Sequence, residues 1–257
     1  MKYYVADAFT DEIFKGNPAG ICVLEDIIPD ETMQKIAFEN NLSETAFLRK
    51  TGEAYSLRWF TPTFEIDLCG HATLASAFIV MTYLEPTVNT VTFDTMSGAI
   101  TVKRKGEALE MSLPVRIPKK IPVTDEISEA LGFVPKEVYS ERDLYILTDS
   151  QADVEGYIPD YDKLKKLDKW LGIVITSKGN DCDFVSRFFC PELKLEDPVT
   201  GSSHITLVPL WSEKLGKSEM TARQLSKRSG TLYCELCPGC VKLSGKAALY
   251  LSGEIFI

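Results

Sequence analysis

The sequence predicts an α+β protein of two similar halves, each a sheet wrapped around one buried helix. Three observations carry this. The chain repeats itself, both halves are rich in short strand-like runs, and one segment, "HATLASAFIVMTYL" at 71–84, is small or apolar on nearly every face. A helix with no polar face has to be covered on all sides, and a sheet wrapped around it meets that demand.

The repeat emerges when Arg58 is set on Arg187. "RWFTP" then falls on "RFFCP" without a gap, and the short turns "CGH" at 69–71 and "TGS" at 200–202 follow in order. Further on, "SGAITV" at 97–102 meets "SGTLYC" at 229–234, with Cys69 to Ser97 spanning 28 positions and Thr200 to Ser229 spanning 29. A period above 100 residues indicates domain duplication rather than a solenoid.

The strands are "YYVADAF", "GICVLE", "AFLRK" and "YSLRWFTP" in the first half, then "LYILTD", "GIVITS" and "DFVSRFF" in the second. Their β-branched and aromatic content and polar punctuation are those of short strands. A first helix is predicted over 30–40, opening at Pro29-Asp30 with apolar residues at 33, 36 and 37. The buried helix follows the first Gly turn. Beyond Ser97-Gly98, "AITVKRKGEALEMSLP" alternates with period two and turns near Lys105-Gly106, which predicts a hairpin. Residues 115–130, with prolines at 118 and 122, read as a linker between the halves. Pro209 falls inside the second helix, where it removes a backbone bond and should kink it.

At 257 residues the chain can bury a substantial core, and its 45% hydrophobic and 25% charged content is that of a soluble globular protein. A net charge of −9 argues against nucleic acid or an anionic membrane as partner. The N-terminal residues lack the apolar core of a signal peptide, and the most apolar run, Leu74–Met81, is too short to span a bilayer. Seven cysteines without a secretion signal suggest reduced thiols in the cytoplasm.

Both Gly turns open a helix, whose N-terminus offers free N–H groups and partial positive charge. If the halves pack about a pseudo-twofold axis, two such termini face across a cleft and suit a small anion, most simply a substrate carboxylate. Glycine alone also serves merely to permit a turn. The only two histidines, His71 and His204, each follow one of these turns, and a neutral imidazole there could donate to a substrate oxygen or trade a proton. Cys69 precedes Gly70, where a helix N-terminus lowers a thiol pKa. Thr200 holds the matching place, and its hydroxyl is too weak an acid to complete a two-thiol racemase. Glu44 lies between Leu42 and Phe47, and such apolar neighbours raise a carboxylate pKa so that it can take and return a proton. A surface or helix-capping glutamate is the plainer alternative.

Four linked stretches, "GNPAG" at 16–20, "NNLSETAFL" at 40–48, "DLCGHATLASA" at 67–77 and "EDPVTGSSH" at 196–204, resemble the PhzF (phenazine biosynthesis-like) family, with its diaminopimelate epimerase-like fold. The resemblance covers nearly the whole chain in order. It implies two pseudo-symmetric domains, about 1–115 and 116–257, each a mostly antiparallel sheet rolled around a central helix. A last strand, about 248–257, could return to the first domain, and the site would lie in the cleft between them. It implies that Glu44 shuttles a proton, that Gly70 and His71 contact substrate, and that Asp197, Gly201 and Ser202 form the second part of the site. It also implies a cofactor-independent isomerase and a homodimer. The epimerases of this fold carry cysteines at both turns, whereas this chain keeps only Cys69.

The expected activity is movement of a proton within a small carboxylate-bearing metabolite, with Glu44, His71 and Asp197 as catalytic groups and Cys69, Gly70, Gly201 and Ser202 binding substrate. Two alternatives stay open: a racemase using Cys69 and Glu44 from opposite faces, and a binding protein without turnover. Cys234, Cys237 and Cys240 have C-x-x-C-x-x-C spacing, but no fourth ligand is nearby, and Pro238-Gly239 makes hairpin cysteines the better reading than metal. Consecutive rings at Trp59-Phe60 and Phe188-Phe189 put an aromatic on both faces of a strand, so one of each pair needs a second cover from a helix or a partner subunit.

Overall fold

A computed structural model describes all 257 residues. The chain forms two compact units, Met1–Leu113 together with Lys242–Ile257, and Pro114–Val241. The first boundary falls two residues before the expected one, and the returning segment starts at Lys242, earlier than 248.

In the first unit β1 (Lys2–Ala8) pairs antiparallel with β2 (Asn17–Leu24), and α1 (Asp30–Asn40) follows. Asp30 and Glu31 lie in the first turn of α1, where acidic groups suit the helix dipole, and Asn41 ends it in the left-handed region at φ 49°. Met33, Ile36 and Ala37 of α1 bury against Cys22, Phe47 and Phe60. Next come β3 (Glu44–Thr51), β4 (Ala54–Phe60) and the short β5 (Glu65–Ile66). The central helix α2 (Gly70–Ile79) is buried at every position but Phe78 and closes in a π turn, Val80–Leu84. The unit continues with β6 (Thr90–Thr95), β7 (Gly98–Lys105) and β8 (Ala108–Pro114). β2 and β3 are parallel, β3 and β4 antiparallel, β4 and β6 parallel, β6, β7 and β8 antiparallel. The C-terminal strand Ala247–Glu254 adds antiparallel to β1. The sheet rolls around α2, which packs against β1, β2 and β3.

The second unit repeats this plan. It comprises β9 (Lys119–Ile121), α3 (Asp125–Leu131), β10 (Glu137–Ser140), β11 (Leu144–Leu147), α4 (Gln151–Gly156) and α5 (Tyr161–Leu164). Then follow β12 (Ile173–Lys178), β13 (Phe184–Cys190), β14 (Leu195–Asp197), α6 (Gly201–Leu215), β15 (Glu219–Gln224) and β16 (Gly230–Cys237). β17 (Cys240–Gly245) and β18 (Ala247–Glu254) end the chain. The pairing order recurs: β11 and β12 parallel, β12 and β13 antiparallel, β13 and β15 parallel, β15 and β16 antiparallel.

The repeated Arg-aromatic phrase has a structural reason. Arg58 holds Glu65 through two nitrogens at 2.6 and 2.7 Å and lies 5.2 Å over the Phe60 ring. Arg187 holds Glu196 at 2.7 and 3.0 Å and lies 4.9 Å over Phe189. In each unit the pair ties the long strand to the short one that leads into the central helix.

One of three expectations is overturned, that of a bare linker over 115–130. Trp59, Phe60, Phe188 and Phe189 are all buried within the single chain, Phe60 against α1, so no ring awaits a partner subunit. The stretch 115–130 holds β9 and α3, because Ile127, Ala130 and Leu131 supply an apolar face that joins the core. α6 runs through Pro209 as one helix. On β16, Cys234 faces inward with Leu232, while Cys237, three residues on, falls on the opposite face.

Candidate active site

Three elements of the first unit bring a buried cluster together. Asn17 opens β2, Glu44 opens β3, and α2 begins with Cys69 as N-cap and His71 as its second residue. Parallel pairing sets Ala19 opposite Glu44, so both strand starts lie at one end of the sheet. Gly16 turns the chain into β2 at φ +63°, and a Cβ there would come 2.2 Å from the Ala8 carbonyl oxygen, so the position admits only glycine.

His71 Nε2 lies 3.0 Å from Glu44 Oε2, and Asn17 Nδ2 donates to His71 Nδ1 at 3.2 Å. Cys69 Sγ lies 3.5 Å from the same Nδ1. Nε2 is therefore the nitrogen that can exchange a proton with Glu44. Glu44 Oε2 and His71 Nε2 are buried, face each other at this distance and have no further hydrogen-bond partner. Such groups cost roughly 1–3 kcal/mol each when left unsatisfied, and native proteins keep them where a ligand or reaction uses them.

Electrostatics overturn one expectation. Burial pushes the Cys69 thiol up and the Glu44 carboxylate pushes it further, outweighing the downward pull of His71 and of the helix start. Cys69 is thus a thiol near neutral pH, not the low-pKa thiolate that its helix position suggests. For His71, burial works against a charged ring, while the neighbouring Cys69 and Glu44 work for it, and the net direction is upward.

In the second unit Asp197 ends β14, Thr200 caps α6, and Gly201 and Ser202 begin that helix. The Thr200 hydroxyl donates to Asp197 Oδ2. The fully buried Gln224 ties the turn: its Nε2 donates to the Asp197 carbonyl at 2.7 Å and to Thr200 Oγ1 at 3.1 Å, and its Oε1 accepts from Thr200 N at 2.8 Å. Ser202 Oγ accepts from Arg142 Nη2 at 3.0 Å, and the same guanidinium holds the buried Asp143 at 3.0 and 3.3 Å. Burial raises the Asp143 pKa despite the pull of Arg142. A serine oxygen that accepts from a guanidinium keeps its own hydrogen for another acceptor.

His204 is a core residue. It stands one turn into α6, fully buried, with Nδ1 donating to the Thr200 carbonyl at 2.8 Å and its ring 5.9 Å from Phe184. Burial, partly offset by that hydrogen bond, pushes its pKa down to about 4, so it is neutral. The match to His71 is only approximate, since His71 sits second in its helix and His204 fourth.

The family model for phenazine biosynthesis-like proteins (PhzC-PhzF) matches residues 6–253. The chain belongs to the PhzF family. An isomerase of Pseudomonas aeruginosa, itself uncharacterized, is 42% identical over 258 residues, covering 100% of this chain and 99% of that protein. A crystal structure of a PhzC/PhzF protein from Clostridium difficile aligns with TM-score 0.97 at 53% identity, with both chains wholly covered. With relatives named as isomerases over the full length, the chain is an enzyme of the isomerase class. A proline racemase from Agrobacterium radiobacter shares the fold at TM-score 0.69 and 10% identity, covering 100% of this chain and 93% of that one.

Within this PhzF-family frame, Glu44, Cys69, Gly70 and His71 assemble in the first unit, and Asp197, Gly201 and Ser202 in the second. Asn17, Arg142 and Gln224 carry no role in the sequence reading. Asn17 lay in the quoted "GNPAG". Gln224 leaves a signal of its own, a polar residue on the inward face of β15 after Met220 and Ala222.

Proposed function

We propose that this isomerase moves a proton within a small carboxylate-bearing metabolite without a cofactor, with Glu44 as the base that removes and returns it. The supporting observation is the placement of Glu44, Cys69 and His71, whose ligating atoms all lie within 4.8 Å of one another. A racemase that deprotonates one carbon from both faces needs its two bases about 6–7 Å apart, since each must approach that carbon to about 3–3.5 Å. Glu44 and Cys69 stand too close for that role, which favours a single base over the paired alternative.

Glu44 takes the proton from an acidified carbon, and His71, donating from Nε2, steadies the carboxylate and a substrate oxygen. The N-terminus of α2 at Gly70 supplies N–H groups for negative charge. Cys69, neutral and packed on Nδ1, holds the ring in place. As the family resemblance implies, Asp197 holds a polar group of the substrate, and Gly201 and Ser202 bind its anionic part. No helix is long and apolar enough to cross a membrane, and seven free cysteines fit a reducing cytoplasm.

Proton exchange in heavy water, followed by mass spectrometry over a panel of small carboxylic acids, tests the base. Glu44→Gln should lower exchange by about 10²–10⁴-fold. An unchanged rate refutes Glu44 as base. A ligand that raises the melting temperature with no exchange in the wild type would favour the binding protein.

A further inference from the structure

The same three side chains form a donor set that the proton chemistry does not require. Cys69 offers a sulfur, His71 a ring nitrogen and Glu44 a carboxylate oxygen, with every pair within 4.8 Å. All three come from rigid places, the cap and second residue of a buried helix and the first residue of a strand. Two of the donor atoms, Glu44 Oε2 and His71 Nε2, are buried and face each other at 3.0 Å with no further hydrogen-bond partner, so a cation there replaces that contact and moves the ring hydrogen to Nδ1 at the expense of the bond from Asn17. His71 is 5% exposed and Cys69 6%. Thiolate, imidazole and carboxylate together carry two negative charges, which a divalent ion cancels, leaving a buried site neutral.

We propose that Glu44, Cys69 and His71 bind a borderline-soft divalent cation, Zn²⁺ in type, and that this ion reversibly blocks the active site. The inhibitory part rests on the proton-shift reading; the binding part does not. Sulfur and imidazole select zinc over magnesium or calcium, which prefer all-oxygen sites. Bond lengths of about 2.0–2.3 Å give a tetrahedral site edges of about 3.3–3.8 Å. The Glu44–His71 separation of 3.0 Å is already close to that. Cys69 Sγ lies 3.5 Å from Nδ1, on the other side of the ring from Glu44, so its side chain has to turn toward Nε2, releasing its thiol proton to solvent as the metal binds. A metal on Glu44 and His71 occupies the lone pairs that would otherwise take the substrate proton, so binding and catalysis exclude one another.

The test uses the full-length protein freed of metal with a chelator. Isothermal titration with Zn²⁺ should show one site, and Co²⁺ in its place should give the near-ultraviolet absorption of a cobalt thiolate. Cys69→Ala should abolish that absorption and weaken Zn²⁺ binding at least tenfold, while a Cys237→Ser, Cys240→Ser double variant should change neither. Zn²⁺ should also slow proton exchange, with recovery on adding chelator. The proposal falls if Cys69→Ala binds Zn²⁺ unchanged, if the absorption disappears only in the hairpin variant, or if the wild type binds no Zn²⁺. Should Zn²⁺ bind through Cys69 yet leave exchange untouched, the metal site stands and the assignment of Glu44 as base fails.

Discussion

The backbone N–H of Arg116 donates to the carbonyl of Ile205 at 3.2 Å, filling the place in α6 that Pro209 cannot. A proline lacks the N–H that would bond to the carbonyl four residues earlier, which here is Ile205. The helix therefore continues from Gly201 to Leu215 with that acceptor satisfied from outside. A proline in a helix interior costs about 3 kcal/mol or more. Because the carbonyl is already paired and Pro209 is buried, Pro209→Ala should change stability by less than about 1.5 kcal/mol, as read from urea melts. A gain near 3 kcal/mol would mean that Arg116 gives no compensation.

His204 sets a pH dependence with a definite sign. Its folded pKa is about 4 and its unfolded value is ordinary, near 6.5, so the unfolded chain binds the extra proton first as pH falls. The stability linked to neutral His204 is complete above pH about 6.5 and is lost progressively down to about 4, a change of roughly 3 kcal/mol. His204→Asn can still donate to the Thr200 carbonyl but does not titrate. Denaturant melts across this window should slope more steeply for the wild type than for the variant. Parallel slopes would show that His204 does not titrate in the unfolded chain alone.

The two duplicated arginines should not weigh equally. Arg58 reaches Glu65 and the exposed Asp30, and its side chain is 30% exposed. Arg187, 12% exposed, also donates to the carbonyls of Val154, Glu155 and Tyr157 at 3.1, 3.3 and 2.7 Å, closing the end of α4. Removing Arg187 leaves those carbonyls and a largely buried Glu196 uncompensated. Arg187→Ala should cost roughly 3–5 kcal/mol and Arg58→Ala roughly 1–2 kcal/mol by chemical denaturation. Equal losses would show that the carbonyl contacts carry no weight.

These residues also show how much could be read beforehand. The repeat was legible because both halves use one local device, an arginine gripping a glutamate seven or nine residues on and shielding a ring, and such devices leave fixed spacings. The central helix was legible from its lack of a polar face. Glu44, Cys69 and His71 stood in quotable motifs, and the structure brings them together. Arg142 and Gln224 were not legible as site residues, because their partners Ser202 and Thr200 lie 60 and 24 positions away and only tertiary folding joins them. The Cys69 pKa was misread for a related reason: helix position is visible in sequence, whereas complete burial beside Glu44 is not.

Assembly is a separate expectation. With the paired rings of β4 and β13 covered inside the chain, the argument for a homodimer passes to β18, where Tyr250 and Leu251 are 52% and 39% exposed and Phe14 stands edge-on to Tyr250 at 5.5 Å. We expect a homodimer that covers this face, with a solution mass twice the 28.7 kDa of one chain by light scattering. Tyr250→Lys with Leu251→Glu should reduce it to one chain mass. A wild-type monomer ends the dimer proposal and leaves the site assignment intact.

Asn17 offers the sharpest test of the site. It is fully buried, and its amide donates to His71 Nδ1, the nitrogen turned away from Glu44. That bond fixes the ring so that Nε2 meets the carboxylate. Asn17→Ala removes the donor without adding charge and leaves Nδ1 to the Cys69 thiol alone. Asn17→Asp instead puts a second carboxylate beside the ring, which favours a hydrogen on Nδ1 and raises the His71 pKa further. Proton exchange should fall about 10²-fold or more in both variants. Only the aspartate variant should also shift the alkaline limb of the pH–rate profile upward. The melting temperature of Asn17→Asp should change little compared with its activity. A variant pair that loses activity only in proportion to lost stability would make Asn17 a packing residue, and His71 would then owe its orientation to helix α2 alone.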